Sequence, residues 1–191
     1  PDAHVEAPTP ISVILAALLL KIGGYGLLRI AFPIFPDSAV YFGWFVGLMG
    51  VISILYGGLN AMSSKDLKRL IAYSSVSHMG FVLLGVASLT AEGVAGSVYQ
   101  MFSHGIISAM LFLLAGVIYD RTGDRMIGNY SGLSSKMPVF TVFVLVAFFS
   151  SMGLPGFSVF IAEIMVFLGA FKSNSIGGPL HESLAIVPTL G

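Results

Sequence analysis

Cysteine is absent from the 191-residue chain, which excludes disulfides, thiol chemistry and iron–sulfur ligation within it. Charge is almost as scarce. Nine Lys and Arg balance nine Asp and Glu, 9% of all residues, where soluble domains carry about 25%. With a net charge of zero there is no basic surface for nucleic acid. No phosphate loop, dinucleotide fingerprint or Gly-x-Ser-x-Gly turn occurs, so nothing points to nucleotide binding or hydrolysis. The chain opens at Pro1, shows no signal-peptide pattern, and stops at Gly191 within an apolar run from Leu184 to Leu190. These ends suit a piece of a longer protein. What is abundant is hydrocarbon: 56% of the residues are hydrophobic and mean hydropathy is +0.94. The expected fold class is an all-α, polytopic transmembrane helix bundle.

Residues 11–32, ISVILAALLLKIGGYGLLRIAF, form the first candidate span, apolar or small throughout except for Lys21 and Arg29. At ~1.5 Å per residue they reach roughly 33 Å, enough to cross a bilayer. Lys21 lies near the middle, too deep for its stem to snorkel out, and a lysine there costs on the order of 2.5–3.5 kcal/mol. Tyr25 and Arg29 follow it on the same face, with Arg29 reading as an interfacial snorkeller. Gly23, Gly24 and Gly26 invite a close neighbour. The preceding PDAHVEAPTP reads as an exposed lead-in, or as a plug at the mouth of a polar cavity. After the breaker FPIFP (32–36), spans are expected at 40–60, 66–89 and 94–119. Gly43, Gly47 and Gly50 mark a packing face on the second. Ser63-Ser64-Lys65-Asp66 fits a capping box and predicts a third helix from about Ser64.

The apolar runs 138–152 and 157–171 are each short for a crossing. Gly153, Leu154, Pro155 and Gly156 separate them. The expectation is one discontinuous crossing over 138–172, a construction that often marks an ion or substrate site. Alternation of sides gives a check. The loops 61–69 and 120–137 hold six Lys and Arg, whereas 33–39 and 90–93 hold none. The positive-inside rule makes the basic loops cytoplasmic. Lys65, Lys68 and Arg69 then form a cytoplasmic anchor, residues 1–10 share that side, and Lys172 to Ser183 lie outside.

Four ionisable side chains fall inside these spans, each on a different helix: Lys21, His78, His104 and Glu163. Intramembrane ionisable groups face the bundle interior or a water-filled cavity. Tyr25, Ser74, Ser77, Gln100, Ser103 and Ser108 add polar support. Amine, imidazoles and carboxylate together suit a proton relay, because buried lysine shifts its proton affinity readily and histidine titrates near neutrality. Other readings stay open at this point. Each histidine could be only an interhelical hydrogen-bond donor. Lys21 and Glu163 could form a structural ion pair. A metal site from His78, His104 and Glu163 lacks any ligand spacing to support it. The chain could also be a passive spacer in a membrane complex.

The stretches PDAHVEAPTP (1–10), LLLKIGGYGLLR (18–29), KRLIAYSSVSHMGF (68–81), QMFSHG (100–105) and GLPGF with the following AE (153–163) resemble the antiporter-like subunits of respiratory complex I (NADH–quinone oxidoreductase), of the bacterial subunit M or subunit 4 kind. The resemblance implies a 14-helix fold built from two inverted five-helix repeats. Residues 1–172 would be helices eight to twelve, a single transmembrane domain forming the second repeat. Residues 173–191 would be an extracytoplasmic loop and the start of a further helix. It also implies roles: Lys21 as central channel lysine, Glu163 as outer terminal carboxylate, and His78 and His104 as links. The family's further glutamate and lysine, on helices five and seven, lie outside this sequence. The residue before the terminal carboxylate, usually Gly, is Ala162 here, with little expected effect. The implied function is proton translocation coupled to NADH oxidation by quinone, as a non-redox subunit of an enzyme complex in the bacterial inner membrane. NADH, FMN, iron–sulfur clusters and quinone would be bound elsewhere in the complex, and the partners would be other membrane subunits, lipid and protons. Multi-subunit cation/proton antiporters and membrane-bound hydrogenases share the fold and give the alternative.

Overall fold

Four long apolar helices run up and down, and two shorter ones pack beside them as a broken fifth element. The computed structural model describes residues 1–175 and 178–180; the expected apolar run at 184–190 lies outside them. A short helix α1 (Asp2–Glu6) precedes α2 (Thr9–Ile34), α3 (Pro36–Ser63), α4 (Leu67–Ala87) and α5 (Ala91–Thr122), which have 26, 28, 21 and 32 residues. Then follow α6 (Pro138–Ser151) and α7 (Ser158–Ser175). Each of the four is long and apolar enough to span a bilayer.

Local chemistry sets the ends. Pro36 and Pro138 stand at the first turns of α3 and α6, where a missing N–H leaves nothing unpaired. Thr90 caps α5 by accepting from the Gly93 N–H at 3.1 Å, and α5 stops at Gly123, whose φ of 69° suits glycine. The expected capping box is corrected. Ser64 closes α3, its Oγ donating to the Asn60 carbonyl at 2.7 Å. It is Asp66 that caps α4, accepting from the N–H groups of Lys68 at 2.8 Å and Arg69 at 3.1 Å. A carboxylate directly before the first turn meets two free N–H groups and the positive end of the helix.

The first span is not uniform. Two π-helical turns, Leu15–Leu19 and Leu27–Ala31, interrupt it, and Lys21 lies between them. Its glycine face is narrower than expected. A Cβ on Gly24 would meet Val82 Cγ1 at 3.1 Å, whereas Gly23 and Gly26 have nothing within 4 Å. On α3 the expected packing face is present: Gly43, Gly47 and Gly50 are buried, and a Cβ on Gly50 would stand 2.8 Å from the Gly80 carbonyl oxygen of α4.

Two apolar clusters hold the bundle. One gathers Ile71, Ala72, Leu111, Phe112, Ala147 and Val159. The other gathers Val51, Ile54, Leu84, Ala87, Val166 and Ala170. Along α4 these clusters lie toward opposite ends, Ile71 and Ala72 in the first and Leu84 and Ala87 in the second. The buried polar residues Ser75, His78, Gln100 and His104 occupy the turns between them.

The two ends of the bundle are tied differently. At one end the 64–66 turn pairs with the loop after α5: Leu67 N–H donates to Arg125 O at 2.9 Å and Ile127 N–H to Lys65 O at 3.0 Å. The amino-terminal segment docks here too, which corrects its reading as an exposed lead-in. Lys68 Nζ donates to the carbonyls of Ala7 and Val5, Arg125 Nη1 donates to Val5 O at 2.9 Å, and Arg69 pairs with Asp2 at 3.3 Å. Lys68, only 7% exposed, is therefore a tie for residues 5–7 and not a free surface anchor. At the other end Lys172 of α7 reaches Glu92 of α5 at 2.5 Å. Since α6 starts beyond the carboxyl end of α5 and α7 finishes beside its amino end, α6 and α7 together run back along α5 as one discontinuous element.

Candidate functional site

Lys21 is placed by the first π turn and by a glycine on the facing helix. Its Nζ donates to the Ala16 carbonyl, within that turn. A Cβ on Gly105 would lie 3.2 Å from the Ala17 carbonyl oxygen and 3.8 Å from Lys21 Cε, so glycine lets α2 and α5 meet at this level. The ammonium then lies 2.8 Å from Nδ1 of His104. Nε2 of His104 lies 3.2 Å from Ser75 Oγ. The single Ser75 O–H is used on the Ile71 carbonyl at 3.1 Å, so its oxygen accepts. That fixes a proton on Nε2 of His104 and leaves Nδ1 as a lone pair facing Lys21.

The line continues. The rings of His104 and His78 stand 5.2 Å apart between centroids. Nδ1 of His78 is 3.2 Å from Gln100 Nε2 and 3.6 Å from Glu163 Oε1. Glu163 is aimed at this spot by the break between α6 and α7. Gly153 and Gly156 there have φ of 65° and 102°, open to glycine and strained for other residues. A Cβ on Gly153 would lie 2.8 Å from Glu163 Oε2. Pro155 sits in the same turn.

The four sequence-predicted ionisable groups are thus brought into one row across α2, α5, α4 and α7. Lys21 and Glu163 each contact a different histidine instead of forming the direct ion pair considered above. Of the supporting residues, Gln100 joins the row. Ser74 donates back to Ile71 O at 2.9 Å and Ser108 to Gly105 O at 3.2 Å, which ties them to their own helices. Ser77 donates to Ile54 O of α3 at 3.1 Å. Tyr25 lines, with Lys21, Met101, Phe102 and Gly105, a largely apolar groove of about 540 Å³ on the outer surface. Arg29 is exposed. Among the described residues no group of three His, Cys, Asp or Glu could hold a metal ion.

Three participants escape sequence reasoning. Ser75, one of several serines on α4, is singled out only by facing His104. Gly105 is marked only by its adjacency to His104. His4 is 8% exposed, stacked on Phe112 with 5.4 Å between centroids, and its Nδ1 has no hydrogen-bond partner among the described residues. Burial, followed by the positive charges around it, holds His4 below the ordinary 6.5. Beside it a cavity of about 400 Å³ is lined by Glu6, Thr9, Lys68, Tyr119, Asp124 and Arg125.

The chain is similar to known proteins over nearly all its length. It is 50% identical to NADH-quinone oxidoreductase subunit M of Rickettsia bellii over 176 residues, 92% of this chain and 36% of that one. It is also 50% identical to NADH-ubiquinone oxidoreductase chain 4 of Chondrus crispus over 174 residues, 91% of this chain and 35% of that one. The chain therefore spans about a third of the length of these relatives. Among solved structures, respiratory complex I from Thermus thermophilus superposes with a TM-score of 0.87 at 36% identity, covering 96% of this chain and 38% of that one. The Mrp complex from a Dietzia species gives 0.86 at 28% identity, covering 98% and 34%. A family described as NADH:quinone oxidoreductase/Mrp antiporter, transmembrane, matches residues 1–187. With that match over most of its length, the chain belongs to the NADH:quinone oxidoreductase/Mrp antiporter transmembrane family.

Proposed function

We propose that this chain is the proton-conducting part of a membrane subunit of NADH–quinone oxidoreductase, in a bacterial cytoplasmic membrane. The observation that carries the reading is the row of titratable groups at mid-helix. Lys21 Nζ is 2.8 Å from His104, His104 lies beside His78, and His78 is 3.6 Å from Glu163. Such groups are expensive in a membrane interior and have no structural need to line up. Lys21 gives a proton to the lone pair on Nδ1 of His104, and the proton on Nε2 leaves on the Ser75 side. The gap to His78 suits a bridging water. His78 then passes the proton to Glu163 at the broken helix.

On this reading residues 1–172 form one transmembrane domain, the second of two inverted repeats. Residues 173–175 still belong to α7, so the extracytoplasmic loop expected from residue 173 would begin after them, and the loops 61–69 and 120–137 face the cytoplasm. Nicotinamide, flavin, iron–sulfur and quinone chemistry belongs elsewhere in the complex, and the chain meets other membrane subunits. Identity to solved structures favours this over the antiporter reading: 36% for complex I from Thermus thermophilus, against 28% for the Mrp complex and for the archaeal sulfane sulfur reductase.

The test replaces Lys21 with Ala, and separately Glu163 with Gln, in the protein as its membrane complex contains it. Proton translocation and NADH oxidation are measured in membrane vesicles after assembly is verified. Each variant should lose translocation by ~10-fold or more. His78→Ala and His104→Ala should lose less, because hydroxyls and water partly bridge a missing ring. An assembled Lys21→Ala complex that pumps normally would sink the relay.

A further inference from the structure

Both ring nitrogens of His104 have one partner each, but Nδ1 of His78 has two claimants. Nε2 of Gln100 lies 3.2 Å from it and Oε1 of Glu163 3.6 Å. Gln100 is 0% exposed, and its own Oε1 has no hydrogen-bond partner among the described residues. An amide nitrogen only donates. In this arrangement Nδ1 of His78 therefore offers a lone pair to Gln100 and holds no proton for Glu163. Turning the amide by about 180° would place Oε1 against the ring instead, an acceptor that requires a proton on Nδ1. Either orientation pairs one amide atom and leaves the other unpaired in the same buried space, so the two lie close in energy.

We propose that Gln100 is a positioning residue whose amide sets whether Nδ1 of His78 carries a proton, and so times the transfer from His78 to Glu163. The proposal rests on the relay reading above and adds a control point to it. With Oε1 of Gln100 facing the ring, Nδ1 of His78 carries a proton, and a second proton arriving from the His104 side on Nε2 makes the ring an imidazolium. The Nδ1–H bond breaks as an O–H bond forms on Oε1 of Glu163. Imidazolium and carboxylate become imidazole, still protonated at Nε2, and carboxylic acid. The amide then turns, its Nε2 donates to the vacated lone pair, and the proton cannot return.

Two variants of similar shape test this in the assembled complex in native membranes. Gln100→Met fills the space and makes no hydrogen bond; proton translocation should fall about 10-fold. Gln100→Glu can only accept when ionised and favours the imidazolium; its pH profile of translocation should move toward alkaline pH by about one unit or more. A Met variant with the wild-type rate, or a Glu variant with the wild-type pH profile, overturns the proposal. Should the Met variant not assemble, the Glu profile alone decides. Glu163→Gln is measured in parallel. If it pumps normally the relay itself is wrong, whereas an inactive Glu163→Gln beside a wild-type Gln100→Met removes only the role of Gln100.

Discussion

Ser75 shows what a single hydroxyl does at this site. Its O–H is committed to the Ile71 carbonyl and its oxygen accepts from Nε2 of His104. It therefore sets the tautomer that leaves Nδ1 open to Lys21. Ser75→Ala strands a buried N–H, a loss of about 1–3 kcal/mol, and lets the ring take the other tautomer, which turns an N–H toward the ammonium. Translocation should fall severalfold in an assembled complex, and Ser75→Thr should restore most of it by keeping the hydroxyl. A wild-type rate in the Ala variant would remove Ser75 from the tautomer argument. The four ionisable residues were legible from sequence because charge in an apolar span is costly wherever it sits. Ser75 was not legible, because α4 carries several serines and only the facing of α4 against α5 picks one.

Among the elements, the break between α6 and α7 acts on the site most directly. Gly153 combines a φ of 65° with a Cβ position 2.8 Å from Glu163 Oε2. Gly153→Ala meets both backbone strain of roughly 1–2 kcal/mol and the carboxylate itself. Gly156, with φ of 102° and nothing within 4 Å, meets the strain alone. Both variants should lower the thermal stability of the subunit, but Gly153→Ala should lose translocation well beyond Gly156→Ala. Equal losses of translocation would mean that the turn acts only through its backbone. The break was legible because glycine and proline fix backbone geometry locally. The π turns of α2 were not, since residues 15–19 read as ordinary helix. What accompanies the first turn is Lys21 bonded to Ala16 O and, far away in the chain, a facing glycine at position 105. The start of α4 departs from the capping-box pattern for a related reason. Two serines and one aspartate compete for the cap, and Asp66 wins because the pairing of Lys65 and Leu67 with the loop after α5 holds the chain extended up to it.

At the scale of the whole molecule, residues 1–7 join three parts of one bundle end. Lys68 and Arg125 hold the carbonyls of Val5 and Ala7, Asp66 pairs with Arg125 at 3.6 Å, and His4 is packed on Phe112 of α5. A proline-rich lead-in gives no local sign of this docking, which is built from partners more than 60 residues away in the chain. The docking should depend on pH through His4. Burial lowers its pKa from 6.5, so the undocked segment binds a proton more readily than the docked one. The contribution of His4 is fully present above the undocked value and is lost as pH falls through the lowered value. Hydrogen exchange of the amides of residues 4–7, corrected for intrinsic rates, should therefore quicken between about pH 7 and pH 5. His4→Leu should flatten that response while Asp2, Glu6, Lys68 and Arg125 stay in place. Exchange that is independent of pH in the unaltered protein, or a response that survives in His4→Leu, would move the titration to another member of this clamp. Because the clamp closes over the cavity lined by Glu6, Lys68, Asp124 and Arg125, loosening it at low pH would widen access to the bundle end from which α2 carries the chain to Lys21.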